Sequence, residues 1–139
     1  MSAPRFAVSA RGAPMLFDTD VLIWLFRGKA SAARLVEATP ERAISVITYM
    51  ELLQGARSRQ ETKTIKGFLS DFAFHIVPLS ENIGHRASIY MEEYGLKVGL
   101  CPADALIAAT AVEHHLVLCT GNLKHYRPVK ELETRAFRA

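Results

Sequence analysis

Four acidic side chains stand where short apolar runs give way to helical patterns. Asp18 and Asp20 interrupt "MLFDTDVLIWLF", Glu51 lies in "SVITYMELLQGA" and Asp104 in "CPADALIAATA", while Thr120 and Asn122 follow in "LCTGNLKHY". Carboxylates gathered at one partly buried edge repel one another, so each must take up a proton or share a cation. A hard divalent ion suits an all-oxygen set best. Magnesium binds octahedrally, keeps several waters and is held by one or two carboxylates plus substrate phosphate, and manganese accepts the same ligands. Such an ion polarises a phosphoryl oxygen and makes a bound water more acidic, and a free carboxylate then orients that water or takes its proton. The chemistry this implies is metal-assisted hydrolysis of a phosphodiester. No rival nucleophile motif is visible: the chain has no G-x-S-x-G, no P-loop and no G-x-G-x-x-G.

That chemistry depends on the acids converging, which is a matter of the elements beneath them. "MLF" (15–17), "AISVI" (43–47), "HIVPL" (75–79) and "LVLCT" (116–120) read as short buried strands. Residues 20–38, 48–58, 61–73, 80–94 and 102–115 have helical length and apolar spacing. Strands alternating with helices imply crossover connections and parallel neighbours, hence an α/β fold: a three-layer α/β/α sandwich around a mainly parallel central sheet. Ligands of such sheets gather at the carboxyl ends of the strands. Asp18, Glu51, Asp104, Thr120 and Asn122 all fall at ends of that kind.

Each acid also has a plain structural explanation. Thr48-x-x-Glu51 matches a capping box, Asp104 near a helix start is favoured by the macrodipole, and Asp18 or Asp20 suits a helix N-cap. Asn122 is an ordinary turn residue. Caps chosen for stability alone have no reason to cluster, whereas caps along one edge of one parallel sheet come within ångströms of each other.

The rest of the composition narrows the field. A chain of 139 residues is the size of one domain, with residues 1–14 reading as a loose extension and 15–139 as the folded unit; Met15 is an alternative start. Cys101 and Cys119 form no C-x-x-C and suit buried, reduced thiols of a cytoplasmic protein. His114 and His115 are adjacent and splay apart on a helix. No apolar run approaches the length of a membrane span. The net charge is +3, but without Arg5 and Arg11 of the extension 15 basic residues stand against 14 acidic ones. Overall charge therefore does not single out nucleic acid, although "ARSRQETKTIK" and "KHYRPVK" are locally basic. Trp24, Phe68, Phe72 and Phe74 are expected to serve the core.

The ordered set "MLFDTDVLIWLF", "ISVITYMELLQGA" and "CPADALIAATAVEHHLVLCTGNLKHY" resembles the PIN-domain ribonucleases, and within them the VapC-type toxins of toxin–antitoxin pairs, from about residue 15 onward. The resemblance implies that Asp18 and Asp104 hold Mg2+ (or Mn2+) most directly, with Glu51 nearby or acting through water. Thr120 and Asn122 then support by hydrogen bonds, Asn122 standing where many relatives have a fourth acid, and Asp20 takes a capping or supporting part. It further implies cleavage of cellular RNA such as tRNA or rRNA, a homodimer, and a VapB-type antitoxin whose C-terminal segment lies along the active-site groove. Lys124, His125, Tyr126 and Arg127, just past the site, are candidates for contact with RNA phosphate or bases.

Two alternatives accompany this reading. "MLFDTDVL" also looks like the opening of a haloacid-dehalogenase-type phosphatase, with Asp18 as covalent nucleophile and Asp20 as acid/base. Position 22, however, is Leu where that motif has Thr or Val, and no later G-D-x-x-x-D appears. A PIN-like domain without activity would instead be an RNA-binding or assembly module.

Overall fold

A computed structural model describes residue 6 and residues 13–139. Its centre is β1 (Met15–Phe17), three buried residues at the middle of a five-stranded parallel sheet. β2 (Arg42–Ser45) and β3 (Phe74–Val77) extend the sheet on one side, and β4 (Val117–Thr120) and β5 (Thr134–Ala136) on the other, in the order β3-β2-β1-β4-β5. Register places Phe17 opposite Cys119 and Leu16 opposite Ala43. The chain first builds outward from β1 in one direction and then returns to build in the other. The gap between β1 and β4 is thus a topological switch point, the place where parallel sheets bind ligands.

Alternation along the strands sorts the core into two layers. Leu16, Ala43 and Leu118 point to a cluster with Ile83, Ala87, Ala105, Ala108 and Tyr126, supplied by α5 (Glu81–Val98), α6 (Pro102–Glu113) and α7 (Leu123–Tyr126). Met15, Phe17, Ile44 and Cys119 point the other way, onto Val21, Leu25, Val36, Leu52 and Leu69 of α1 (Thr19–Phe26), α2 (Ala30–Glu37), α3 (Val46–Gln54) and α4 (Arg59–Asp71). The three-layer sandwich is the fold expected. Leu16 and Phe17 are fully buried, so truncating either to alanine costs about 2–5 kcal/mol.

Several boundaries differ from those read in the sequence. The helix expected over 20–38 is two helices, because Gly28 turns left-handed at φ +78 and ends α1. The run "AISVI" stops being a strand at Ser45, whose hydroxyl accepts the Ile47 amide at 3.0 Å and caps α3. The β-branched Val46 and Ile47, which suggested strand, are helical. Ser58 and Ser80 likewise cap α4 and α5 through hydrogen bonds from Glu61 N and Ile83 N. α7 and β5 had no expectation: one is four residues long, and the other is exposed at every position.

Among single residues, Cys119 is buried but Cys101 is exposed, contrary to the expectation for both. Phe74 is buried, whereas Phe68 and Phe72 are half-buried and stacked at 4.3 Å between centroids. Trp24 is half-buried too, with Arg27 and Lys29 over its ring at 5.5 and 5.9 Å. Most of the extension expected over 1–14 lies outside the described residues. Within it, Phe6 packs edge-on against His75 and His114. No helix among the described residues is long and apolar enough to cross a membrane.

Candidate active site

β1 hands over to α1 at Asp18. Its backbone is extended (φ −69, ψ 159) and Oδ1 accepts the Thr19 amide at 2.9 Å, so Asp18 is the N-cap. Its second oxygen accepts a hydrogen bond from the Thr120 hydroxyl at 2.7 Å, across the switch point from the end of β4. The same hydroxyl accepts the Asn122 amide at 2.9 Å, so strand end, turn and acid form one chain of bonds. Asp18 is only 5% exposed. Burial, followed by repulsion from Asp20 and Asp104, pushes its pKa up to about 6 in spite of the two hydrogen bonds.

Asp20 sits in the first turn of α1 and points at the turn after β4, where Oδ2 accepts the Gly121 amide at 2.9 Å. A Cβ on residue 121 would fall within 2.5 Å of that oxygen, so any other residue there forces the Asp20 carboxylate to shift. The other Asp20 oxygen is buried without a hydrogen-bond partner, and burial raises this pKa as well. An orphaned, buried carboxylate oxygen is costly unless something positive neutralises it.

Glu51 lies in the second turn of α3, and the first-turn capping box expected from Thr48-x-x-Glu51 does not form because Ser45 is the cap. Its carboxylate is instead held by α1: the Thr19 hydroxyl donates to Oε1 at 2.7 Å and stands 3.0 Å from the buried Thr48 hydroxyl. With one proton per hydroxyl and a carboxylate that only accepts, the order that satisfies all three is Thr48 to Thr19 to Glu51. Asp104 is the third residue of α6, which begins with Pro102 and points its N-terminus at the same edge. Its Oδ1 accepts from the Tyr126 hydroxyl at 3.2 Å, and His125 Nδ1 stands 3.6 Å from Oδ2.

The expected site residues are therefore brought to one edge of the sheet. Asp20 and Asp104 are close enough to Asp18 to raise the cost of its charge, and Asp104 does the same to Asp20. Among the described residues none of the four acids pairs with a lysine or arginine. Lys124, His125 and Arg127 are exposed beside the site. Tyr126 is not: at 1% exposure it is a core residue whose ring cannot stack on a base, which corrects the expectation of RNA contact. Thr19 and Gly121 belong to the site and were not singled out in the sequence, and Thr48, expected there only as a helix cap, belongs to it as well. Thr19 stands in plain view between the two aspartates of "DTD".

Residues 15–131 match the family described as the PIN domain. The chain belongs to the PIN-domain family. Among its PIN-domain relatives, "Ribonuclease VapC10" of Mycobacterium tuberculosis is 35% identical over 125 residues, covering 86% of this chain and 90% of that protein. "Ribonuclease VapC1" of Rickettsia felis is 34% identical, covering 86% and 92%. Of solved structures, a toxin–antitoxin complex from Klebsiella pneumoniae matches with a TM-score of 0.74 and 36% identity over 88% of this chain and 99% of that one.

The oxygen donors suit a hard cation, and the unpartnered Asp20 oxygen together with the protonation-prone Asp18 gives it a place to act. Among the described residues no three acids, histidines or cysteines form a closed cage around one point. An ion here would have to be held by one or two carboxylates and completed by water or substrate.

Proposed function

We propose that this PIN-domain protein is a Mg2+- or Mn2+-dependent endoribonuclease acting as the toxin of a toxin–antitoxin pair in the cytoplasm. The observation that carries the reading is Asp18: a carboxylate buried at the switch point, flanked by Asp20 and Asp104 and, among the described residues, paired with no basic side chain. The ribonuclease names of relatives 34–35% identical support the same activity. When bound, a divalent ion supplies a polarised phosphoryl oxygen and a more acidic water. Asp18 and Asp104 would hold it, and Glu51, steadied by Thr19, would orient the attacking water or take its proton. Thr120 and Asn122 lock Asp18 in place, and Asp20 pins the Gly121 turn that carries them. Lys124, His125 and Arg127 offer positive charge and donors to an RNA backbone passing the site.

The partner is a VapB-type antitoxin, a reading supported by the Klebsiella pneumoniae toxin–antitoxin complex. A groove of about 700 Å3 lined by Leu25, Phe26, Leu52, Ile65 and Phe68 of α1, α3 and α4, with Glu51 also in its lining, is the place we assign to a segment of that partner. We assign a homodimer on the family resemblance. The phosphatase alternative is not favoured, because position 22 is Leu where its motif has Thr or Val and no later G-D-x-x-x-D appears.

The decisive experiment incubates the purified chain, freed of any partner, with structured RNA and Mg2+ or Mn2+. Cleavage that stops in EDTA, and falls about 100-fold or more in Asp104→Asn, is the expected result. RNA left whole by the parent in both ions overturns the proposal in favour of a binding module.

A further inference from the structure

Tyr126 is the largest fully buried side chain of the protein, and it ends on the two aspartates. It reaches them from α7, packed within the layer formed with α5 and α6. Its hydroxyl donates to Asp104 Oδ1 at 3.2 Å and lies against Asp18 as well. Phenylalanine would fill the same volume without bringing a polar atom that needs a partner. What the hydroxyl adds is therefore felt at the carboxylates. A phenol keeps its proton at neutral pH and a carboxylate only accepts, so Tyr126 is the donor. The other neighbours of the Asp104 carboxylate among the described residues are His125, whose Nδ1 stands 3.6 Å from Oδ2 on the solvent side, and the Cys101 thiol at the start of α6.

We propose that Tyr126 is a positioning residue for ion binding: its hydroxyl engages Oδ1 of Asp104, fixes the carboxylate plane, and leaves Oδ2 as the oxygen offered to the ion. The proposal rests on the nuclease reading and deepens it. A group of this kind orients a metal-binding side chain without touching the ion, and removing such an outer partner costs about 10–100-fold in metal affinity or activity.

The test is Tyr126→Phe, which deletes one oxygen and keeps the ring. Mn2+ is titrated into the metal-free protein without RNA, and the free ion is counted by its EPR signal. The expected result is a Kd raised about tenfold, with far-UV circular dichroism and the thermal midpoint in EDTA showing a folded domain. Cleavage by the variant should fall at limiting Mn2+ and recover at saturating Mn2+. If parent and variant bind Mn2+ equally, the positioning role is overturned while the nuclease reading stands. Slower cleavage at every ion concentration with an unchanged Kd overturns it as well. If the parent itself binds no Mn2+ and leaves RNA whole, both readings fall.

Discussion

Replacing Asp18 by asparagine should make the metal-free protein more stable while removing its activity. The native state holds the Asp18 proton up to about pH 6, whereas the unfolded chain releases it near its ordinary value of 3.8. The folded pKa is the higher one, so this group's contribution to stability is fully present below pH 4 and is lost as pH rises through 6. At 1.36 kcal/mol per pK unit the loss is about 3 kcal/mol at pH 7.5. Asparagine never ionises and escapes it. Its Oδ1 can still accept the Thr19 amide, but its amide nitrogen now meets Thr120 Oγ1, which must turn its own proton elsewhere. That rearrangement costs about 1 kcal/mol. The net gain is about 2 kcal/mol at pH 7.5, equivalent to about 6 °C in thermal midpoint for a chain of this length. Urea denaturation in EDTA, followed by the fluorescence of the single tryptophan, Trp24, measures it directly. At pH 4.5 the advantage should be largely gone, and Mg2+ should stabilise the parent but not the variant. An Asp18→Asn protein that is less stable at both pH values, or more stable by the same amount at both, would refute the claim that buried charge dominates this site.

Two further substitutions probe the supports of the site. Thr19→Val keeps shape but removes the hydroxyl that donates to Glu51; cleavage should drop by about tenfold with the fold intact, and an unchanged rate would show that Glu51 needs no tether. Gly121→Ala forces a Cβ to within 2.5 Å of Asp20 Oδ2, breaking the 2.9 Å bond from the Gly121 amide. It should cost about 1–3 kcal/mol in denaturation, and pairing it with Asp20→Ala, which empties the space, should recover much of the loss.

The sheet and its acids were legible because two independent patterns coincide. Apolar runs of strand length mark β1 to β4, and Asp18 falls where the first of them meets a helix; Asp104, expected at a strand end, follows no strand, because α6 comes directly after α5 and brings it to the edge by its N-terminus. The break between α1 and α2 was hidden because apolar spacing continues across "LFRGKASAARLVE", and only the left-handed Gly28 reveals it. Ser45 and Thr48 are both sound caps in isolation, and the sheet register decides between them by carrying β2 through to Ser45 opposite Val77. Tyr126 was misjudged for a similar reason. Four residues cannot show a helical period, so nothing local distinguishes its buried ring from the exposed Lys124, His125 and Arg127 around it. The hydroxyl relay from Thr48 through Thr19 to Glu51 joins residues about thirty positions apart, a relation that no pattern along the chain displays.

The bond between Asp18 and Thr120 joins residues 102 positions apart, and this bears on how the protein is made. β4 takes its place beside β1 only after β2, β3 and six helices have been synthesised. Until then one flank of β1 is open, and Asp18 lacks both the hydroxyl that anchors it and the turn that pins Asp20. A nascent chain arrested before Thr120 cannot assemble the site, so no product that stops short of that residue carries the activity. Catalytic competence arrives late and all at once, with the last-made strands of the sheet.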